Sequence, residues 1–277
     1  MNIFVTGSRG FVGTNFIKAA AGRGHYVYAL TRSHGIPQDC QAGHVEWCVG
    51  GLKEDWTTQL SRSDALVHFA AAGVSRQMDD WDECFRVNLI EASALLRKAI
   101  ECGVKKFLIC GSCFEYGKSG EEYNKIPVCC DLKPVNAYAS SKAAATMVSL
   151  ALAASFDLKL TVVRPFHLYG KGEAKSRFWP QLVEAAVSGA DFRMTAGEQV
   201  RDFMDVTDSV NQMLDIVQRL DYLDSGGCIK NIGSGRPMTL LDFAEAEWNR
   251  LGASGKLLPG VLPYRKDEVM RYVPDLS

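Results

Sequence analysis

A short apolar run, Asn2-Ile3-Phe4-Val5-Thr6, leads straight into Gly7-Ser8-Arg9-Gly10-Phe11-Val12-Gly13, and a helical pattern starts inside that glycine stretch. Strand, glycine turn and helix in immediate succession form a dinucleotide-binding start. A helix N-terminus offers N–H groups and partial positive charge to a pyrophosphate. Glycines let the backbone turn sharply and let phosphates come close. The spacing is G-x-x-G-x-x-G rather than the general G-x-G-x-x-G. Gly7, Arg9, Gly10, Phe11, Val12 and Gly13 are the first cofactor-binding candidates.

Downstream, Phe11 to Ala21 reads as an amphipathic helix ended by Gly22 and Gly24, and Tyr26 to Leu30 as a second strand. The end of that strand is where an adenosine ribose is read. A carboxylate there accepts a hydrogen bond from the 2′-hydroxyl of NAD, and a basic residue suits the 2′-phosphate of NADP. This chain has Thr31-Arg32-Ser33 and no acid, with Arg9 as a second positive charge. The expected cofactor is NADP(H), with NAD as the alternative. Val45–Val49 reads as a third strand. Asp64 to Gly73 reads as a fourth that runs into Phe69-Ala70-Ala71, where small residues let the backbone pass close to a cofactor. His68 reads as a packed core histidine. Trp81–Cys102 reads as a long helix in which Asn88 faces inward, and Lys105–Cys110 as a fifth strand. The alternation predicts an α/β fold, a doubly wound parallel sheet of Rossmann type with a small C-terminal lobe. The expected division is residues 1–165 and 166–277, the second part returning segments to the main sheet.

Net charge narrows the function classes. At -1 over 277 residues, the chain has no bulk attraction to nucleic acid or an anionic membrane. No apolar run is long enough to span a bilayer, and the start carries no secretory signal pattern. The nine cysteines are odd in number and form no framework, as expected of reduced thiols in a cytoplasmic protein. Cys110-Gly-Ser-Cys113 matches C-x-x-C but has no partner motif. The five histidines show no H-x-x-x-H spacing, so no metal site is expected.

Two stretches carry chemistry. Gly111-Ser112-Cys113-Phe114-Glu115-Tyr116-Gly117 lies at the carboxyl end of the fifth strand, where ligands of open α/β sheets sit. Tyr138-Ala-Ser-Ser-Lys142 opens a helix to about Ser155, and its i, i+4 spacing puts phenol and ammonium on one face. A phenol titrates near about 10 when unperturbed. A nearby ammonium and an oxidised nicotinamide favour the phenolate, so Tyr138 is expected to serve as a general acid or base. Lys142 is also expected to reach the nicotinamide ribose.

With these residues in view, the chain resembles the extended short-chain dehydrogenase/reductases of the NAD-dependent epimerase/dehydratase family, which modify nucleotide sugars, over nearly its full length. Thr6–Gly13 is similar to their cofactor loop, and Tyr138 with Lys142 to their catalytic pair. Ser112 falls at their catalytic Ser/Thr, four residues before Tyr116-Gly117. Arg164-Pro165-Phe166-His167-Leu168-Tyr169-Gly170 resembles their entry to the substrate lobe, which implies cofactor contacts from Pro165 and His167. Arg201-Asp202-Phe203 resembles the motif whose arginine meets the nucleotide, and Asn231-Ile232-Gly233-Ser234-Gly235 fits the pattern too. Guanidinium forks pair with phosphate oxygens, so Arg201 and Arg265 are the diphosphate candidates.

Departures from the family narrow the reaction. Sugar 4,6-dehydratases carry Asp-Glu after the catalytic Ser/Thr; here Cys113 and Phe114 stand there. Neither moves the protons of an elimination, and both become substrate contacts with Ser112, His167 and Phe178. The third strand usually leads to an aspartate that reads adenine; here Leu52 follows Gly50-Gly51. The likeness is strongest to nucleotide-sugar 4-reductases. It rests on Thr31-Arg32, His167 with Tyr169-Gly170, Phe178-x-Pro180, Gly197–Phe203 and Arg265–Met270. It implies reduction by NADPH of a 4-keto group on a CDP- or dTDP-linked deoxysugar. A 4-epimerase with tightly held NAD uses the same residues, and a cofactor-sensing protein without turnover is a further reading. The resemblance also implies a homodimer paired through the helices at Trp81–Cys102 and Tyr138–Ser155.

Overall fold

The computed structural model describes residues 1–33, 43–74, 80–265 and 268–277. Lys266 and Asp267 of the Arg265–Met270 stretch, together with His34 and Cys40, lie outside the described residues. Among the described residues the first strands are β1 (Asn2–Thr6), β2 (Tyr26–Thr31), β3 (Val45–Val49), β4 (Ala65–His68), β5 (Lys106–Cys110) and β6 (Lys159–Pro165). There follow β7 (His167–Tyr169), β8 (Phe192–Arg193), β9 (Val200–Asp205), β10 (Cys228–Ile232), β11 (Pro237–Thr239), β12 (Leu257–Leu258) and β13 (Arg271–Tyr272). The helices are α1 (Phe11–Gly22), α2 (Thr57–Leu60), α3 (Trp81–Phe85), α4 (Ala92–Glu101), α5 (Ala137–Ser155), α6 (Phe178–Ser188), α7 (Val206–Arg219) and α8 (Leu240–Arg250).

The main sheet is parallel and seven-stranded, in the order β10-β6-β5-β4-β1-β2-β3. The chain crosses over between β1 and β4, and that reversal opens a crevice at their carboxyl ends. The strand period of two sorts the core into two layers. Ile3 and Val5 pack with Phe16 and Ile17 of α1 and Met213 and Leu214 of α7. Phe4 faces the other way, against Leu66, Leu95, Leu96 and Phe107. On α1 the buried residues are Gly13, Phe16, Ile17 and Ala20, the i, i+3, i+4, i+7 stripe of a helix lying on a sheet.

The chain after β6 does two things. Strands β7, β9, β11 and β13 form a second small sheet, and β8 pairs with β12. Leu182, Ala186, Phe192, Ala244 and Trp248 give this lobe its own core beneath α6 and α8. Between these elements α7 returns to pack on α1, and β10 pairs with β6. Asp205 caps α7: its carboxylate accepts from the Thr207 N–H at 2.7 Å. Thr239 caps α8 by accepting from the Asp242 N–H at 3.0 Å.

The long helix expected over Trp81–Cys102 is interrupted. Residues Arg86–Glu91 between α3 and α4 form a π-helical turn. Asn88 sits in it. Its side chain accepts from the Ala72 N–H (2.7 Å) and donates to the Ala72 carbonyl (3.1 Å) and the Ser141 hydroxyl (2.9 Å). The wider turn swings this amide inward, where it ties the loop after β4 to α5.

Candidate active site

The crevice floor is built by glycines that tolerate no side chain. Gly7 has φ +68°, and a Cβ there would lie 2.6 Å from the Phe69 carbonyl carbon and the Ala70 nitrogen. A Cβ on Gly13 would lie 2.2 Å from the Gly7 oxygen. Gly10 precedes α1, no side chain caps that helix, and its first turn carries no acid. Phe11, Val12 and Gly13 form that first turn. An uncapped, acid-free helix start against bare backbone suits a pyrophosphate, so these residues fit a dinucleotide. Phe69, Ala70 and Ala71 line the facing loop: Phe69 packs edge-on to Phe16 at 5.2 Å, and the Ala70 N–H donates to Thr6 Oγ1 at 3.2 Å. At the carboxyl ends of β2 and β3, where adenosine is expected, Thr31 is buried, Arg9 and Arg32 are exposed, and Leu52 packs against the core layer around Phe4.

His68 closes the crevice from below. It is 2% exposed, with Nδ1 2.9 Å from Thr6 Oγ1. Burial, aided by the Lys142 charge, pushes its pKa down to about 3. The ring is neutral when folded but takes a proton near about pH 6.5 when unfolded. The unfolded state therefore binds more protons between those values, and stability falls as pH drops below 6.5. Urea denaturation from pH 7 to 5 should lose about 1.4 kcal/mol per pH unit below 6.5 to this residue. His68→Gln should flatten that part of the slope, and an unchanged slope would remove His68 as its source.

Ser112, Tyr138 and Lys142 converge at the carboxyl end of β5. Ser112 is 5% and Lys142 4% exposed. Asn136 caps α5 by accepting from the Ala139 N–H at 2.9 Å, which fixes the turn carrying Tyr138. The Ser112 side chain lies beside the Tyr138 hydroxyl, where it favours the phenolate, and the Lys142 ammonium donates to the Cys110 carbonyl. The Tyr138 pKa lies above the ordinary phenol value. Burial is the main cause, followed by the Cys110 thiol, and the Ser112 side chain opposes them. Burial thus favours the neutral phenol, in the direction opposite to the lowering expected from Lys142 and an oxidised nicotinamide together.

Glu115 is a residue of this site that the sequence motifs do not point to. It is fully buried and accepts from the Ser112 N–H at 2.8 Å, Thr146 Oγ1 at 2.9 Å, and Arg164 Nε at 2.9 Å and Nη2 at 2.8 Å. Ser112 and Glu115 form a reciprocal capping box around the short helical turn at Cys113–Tyr116. The S-x-x-E spacing was the available signal.

Above this constellation stands a group of rings. Phe114 meets Tyr138 at 6.5 Å, His167 at 6.1 Å and Tyr272 at 5.8 Å between centroids, each edge-on. His167 also meets Phe203 at 6.1 Å. Cys113 is 3% exposed beneath them. Pro165 ends β6 just before His167. The Arg201 guanidinium lies 5.6 Å from the Tyr272 ring and donates to Glu268 Oε1 and the Val269 carbonyl, both at 2.7 Å. Neither Glu268 nor Tyr272 was anticipated: they reach the site from the chain's end through β13. Arg265 is exposed, on the turn whose carbonyl accepts from the Glu268 N–H at 3.3 Å. Phe178 stands apart from this group, its ring edge-on to Phe192 at 5.5 Å in the small lobe's core.

Comparisons with known proteins agree with this geometry. Residues 3–233 match the family described as NAD dependent epimerase/dehydratase. The CDP-abequose synthase of Salmonella typhimurium is 25% identical over 273 residues, covering 97% of this chain and 87% of that protein. Among solved structures, MoeE5 in complex with UDP-glucuronic acid and NAD superposes with a TM-score of 0.85 at 24% identity, covering 100% of this chain and 90% of that one. The NAD-dependent NDP-hexosamine 5,6-dehydratase TunA does so with a TM-score of 0.85 at 25% identity, covering 99% and 88%.

Proposed function

The chain belongs to the NAD dependent epimerase/dehydratase family, and from that premise we propose that it is an NADPH-dependent reductase of the 4-keto group of a CDP- or dTDP-linked deoxysugar. When bound, the cofactor supplies the hydride. Tyr138 gives its proton to the developing alkoxide oxygen. Ser112 hydrogen-bonds the same oxygen and orients the carbonyl, and Lys142 holds the ribose. The observation that carries this reading is the convergence of Ser112, Tyr138 and Lys142 at the carboxyl end of β5, with Lys142 anchored on the Cys110 carbonyl, because reduction consumes a proton that a positioned phenol can supply. The rest of the segment speaks against elimination. Its one carboxyl, Glu115, is locked to Arg164 rather than turned to a substrate, and Cys113 and Phe114 hold the flanking places.

The CDP-abequose synthase likeness supports a sugar 4-reductase, and the exposed Arg9 and Arg32 support NADP(H). Arg201, over Tyr272, is the diphosphate anchor. The reading includes a cytoplasmic homodimer. In its favour stand exposed Trp81, Ile90 and Met147 on the helices expected to pair, and no described helix is long and apolar enough to cross a membrane. A second reading, a 4-epimerase holding NAD, draws on the NAD named with MoeE5.

The test is loss of NADPH absorbance with 4-keto nucleotide sugars, alongside identification of any nucleotide released on denaturation. Stoichiometric NAD would favour the epimerase. Arg32→Ala should weaken NADPH binding by about tenfold, one charge-assisted contact, and leave NADH binding unchanged. Equal loss for both cofactors would remove Arg32 as the reader of the 2′-phosphate.

A further inference from the structure

The segment between β7 and α6 is a strap that joins the two walls of the crevice. At one end it rests on the first turn of α1. Asn15 Nδ2 donates to the Lys171 carbonyl at 3.0 Å and to the Phe11 carbonyl at 2.9 Å, and a Cβ on Gly172 would lie 3.9 Å from the Phe11 ring. At the other end Arg177 Nη2 donates at 2.7 Å to the carbonyl of Val74, in the loop after β4. Two turns set its path: the Glu173 N–H donates to the Gly170 carbonyl at 3.2 Å, and the Arg177 N–H to the Ala174 carbonyl at 2.9 Å. Glu173 is the strap's one acid. Its Oε2 is shut off from water and has no hydrogen-bond partner among the described residues. A buried polar oxygen left unmatched beside a ligand crevice calls for an explanation.

The charged groups on the elements around this carboxyl are few. On the strap, Lys171 and Lys175 are exposed and Arg177 is half-buried. At the start of α7, Asp205 stands beside Gly170, where a Cβ would lie 3.3 Å from its Oδ2, and it is engaged with the Thr207 N–H. The first turn of α1 carries no acid, Lys18 lies one turn beyond Asn15, and the glycine loop bears the exposed Arg9. Burial raises the Glu173 carboxyl to about 7, with the Arg177 charge and the Gly170 N–H opposing. A diphosphate drawn to the start of α1 brings negative charge to the element on which this strap rests. An ionised Glu173 repels it through a medium of low dielectric, and a neutral one does not. The neutral acid also has an O–H to donate, which the carboxylate lacks. We propose that Glu173 is a proton-linked cofactor residue: the crevice takes the dinucleotide with this carboxyl neutral, and binding draws in a proton wherever it starts ionised. This inference rests on the crevice holding a dinucleotide and is independent of the reductase reading.

The experiment measures NADPH and NADH binding by isothermal titration calorimetry from pH 6 to 9. Two buffers of different ionisation enthalpy let proton uptake be read directly. At saturating cofactor the linkage leaves turnover untouched, so affinity is the readout. The 2′-phosphate of NADPH titrates near about 6 and is already ionised between pH 7.5 and 9. Over that range native affinity should fall about tenfold, with most of one proton taken up at pH 8. Glu173→Gln, a permanently neutral isostere, should hold its affinity level and take up no proton. At pH 9 it should bind about tenfold more tightly than native protein, a gain that a damaged fold cannot produce. A level native affinity, or a slope and proton uptake that survive in Glu173→Gln, would overturn the inference and leave the dinucleotide reading standing. So would weaker binding by Glu173→Gln at pH 9, since the carboxylate would then be aiding the cofactor. Failure of both cofactors to bind at any pH would overturn both.

Discussion

On the proposed reading, Tyr138→Phe should lower turnover of the keto substrate by about 10²-fold or more, the share a positioned general acid contributes, while NADPH should bind as before. The ring stays, so its edge contact with Phe114 at 6.5 Å is kept, and only the hydroxyl beside Ser112 is lost. Cofactor affinity, read by fluorescence titration, is assigned in that reading to the glycine loop and Lys142, which the substitution does not touch. Turnover, read by NADPH absorbance, depends on a proton reaching the oxygen as the hydride arrives. Near-normal turnover would end the assignment. The pH profile follows with a definite sign. Burial raises the Tyr138 pKa above its ordinary value, so the acid stays loaded through neutral pH. The native rate should stay level from pH 6 to 9 and fall only on the alkaline side, above about 10 where a free phenol titrates. A fall centred near neutrality would mean that a different group donates the proton.

The legible part of this molecule was the part written in local sequence. Strand β1, the glycine turn and α1 follow from one another within twenty residues, and the two-faced packing of Ile3, Phe4 and Val5 follows from the strand period. The Tyr138–Lys142 pair was legible because a helix turns spacing into a shared face. The π turn around Asn88 was not, since no residue type marks it; it forms because the amide has partners on both Ala72 and Ser141. The contact of Arg201 with Glu268 spans 67 positions, and the approach of Tyr272 to Phe114 depends on β13 joining β9. Such meetings are set by sheet order, which no local pattern encodes. The pKa direction of Tyr138 belongs with them. Sequence names the ammonium that favours a phenolate, while the desolvation that favours the neutral phenol comes from packing.

Glu115→Ala should destabilise the protein by about 3–5 kcal/mol, the cost of removing one partner from a buried ion pair. Glu115 is 0% and Arg164 1% exposed, so neither charge has water to fall back on. Burial pushes the Glu115 carboxyl up, and the Arg164 and Lys142 charges and its hydrogen bonds with Thr146 and the Ser112 N–H oppose that shift. Alanine would orphan the Arg164 guanidinium, which would keep its stack on the Tyr116 ring at 4.6 Å but lose its counter-ion. It would also orphan the Ser112 N–H, so the residue beside Tyr138 would lose the brace that sets its backbone. Glu115→Gln should cost less, because an amide oxygen can still accept from Ser112 while the charge pair is lost. Replacing both partners, Glu115→Leu with Arg164→Met, should recover more than half of the alanine loss, since the second buried charge goes with the first. Urea denaturation of the double replacement, and of Glu115→Leu and Arg164→Met singly, closes the comparison as a coupling between neighbours. A double replacement as unstable as the sum of its single changes would mean that the pair acts through packing alone. The Glu115→Gln protein, folded but less tightly braced at Ser112, should lose turnover more than cofactor affinity. That split separates a residue that positions the site from one that merely fills the core.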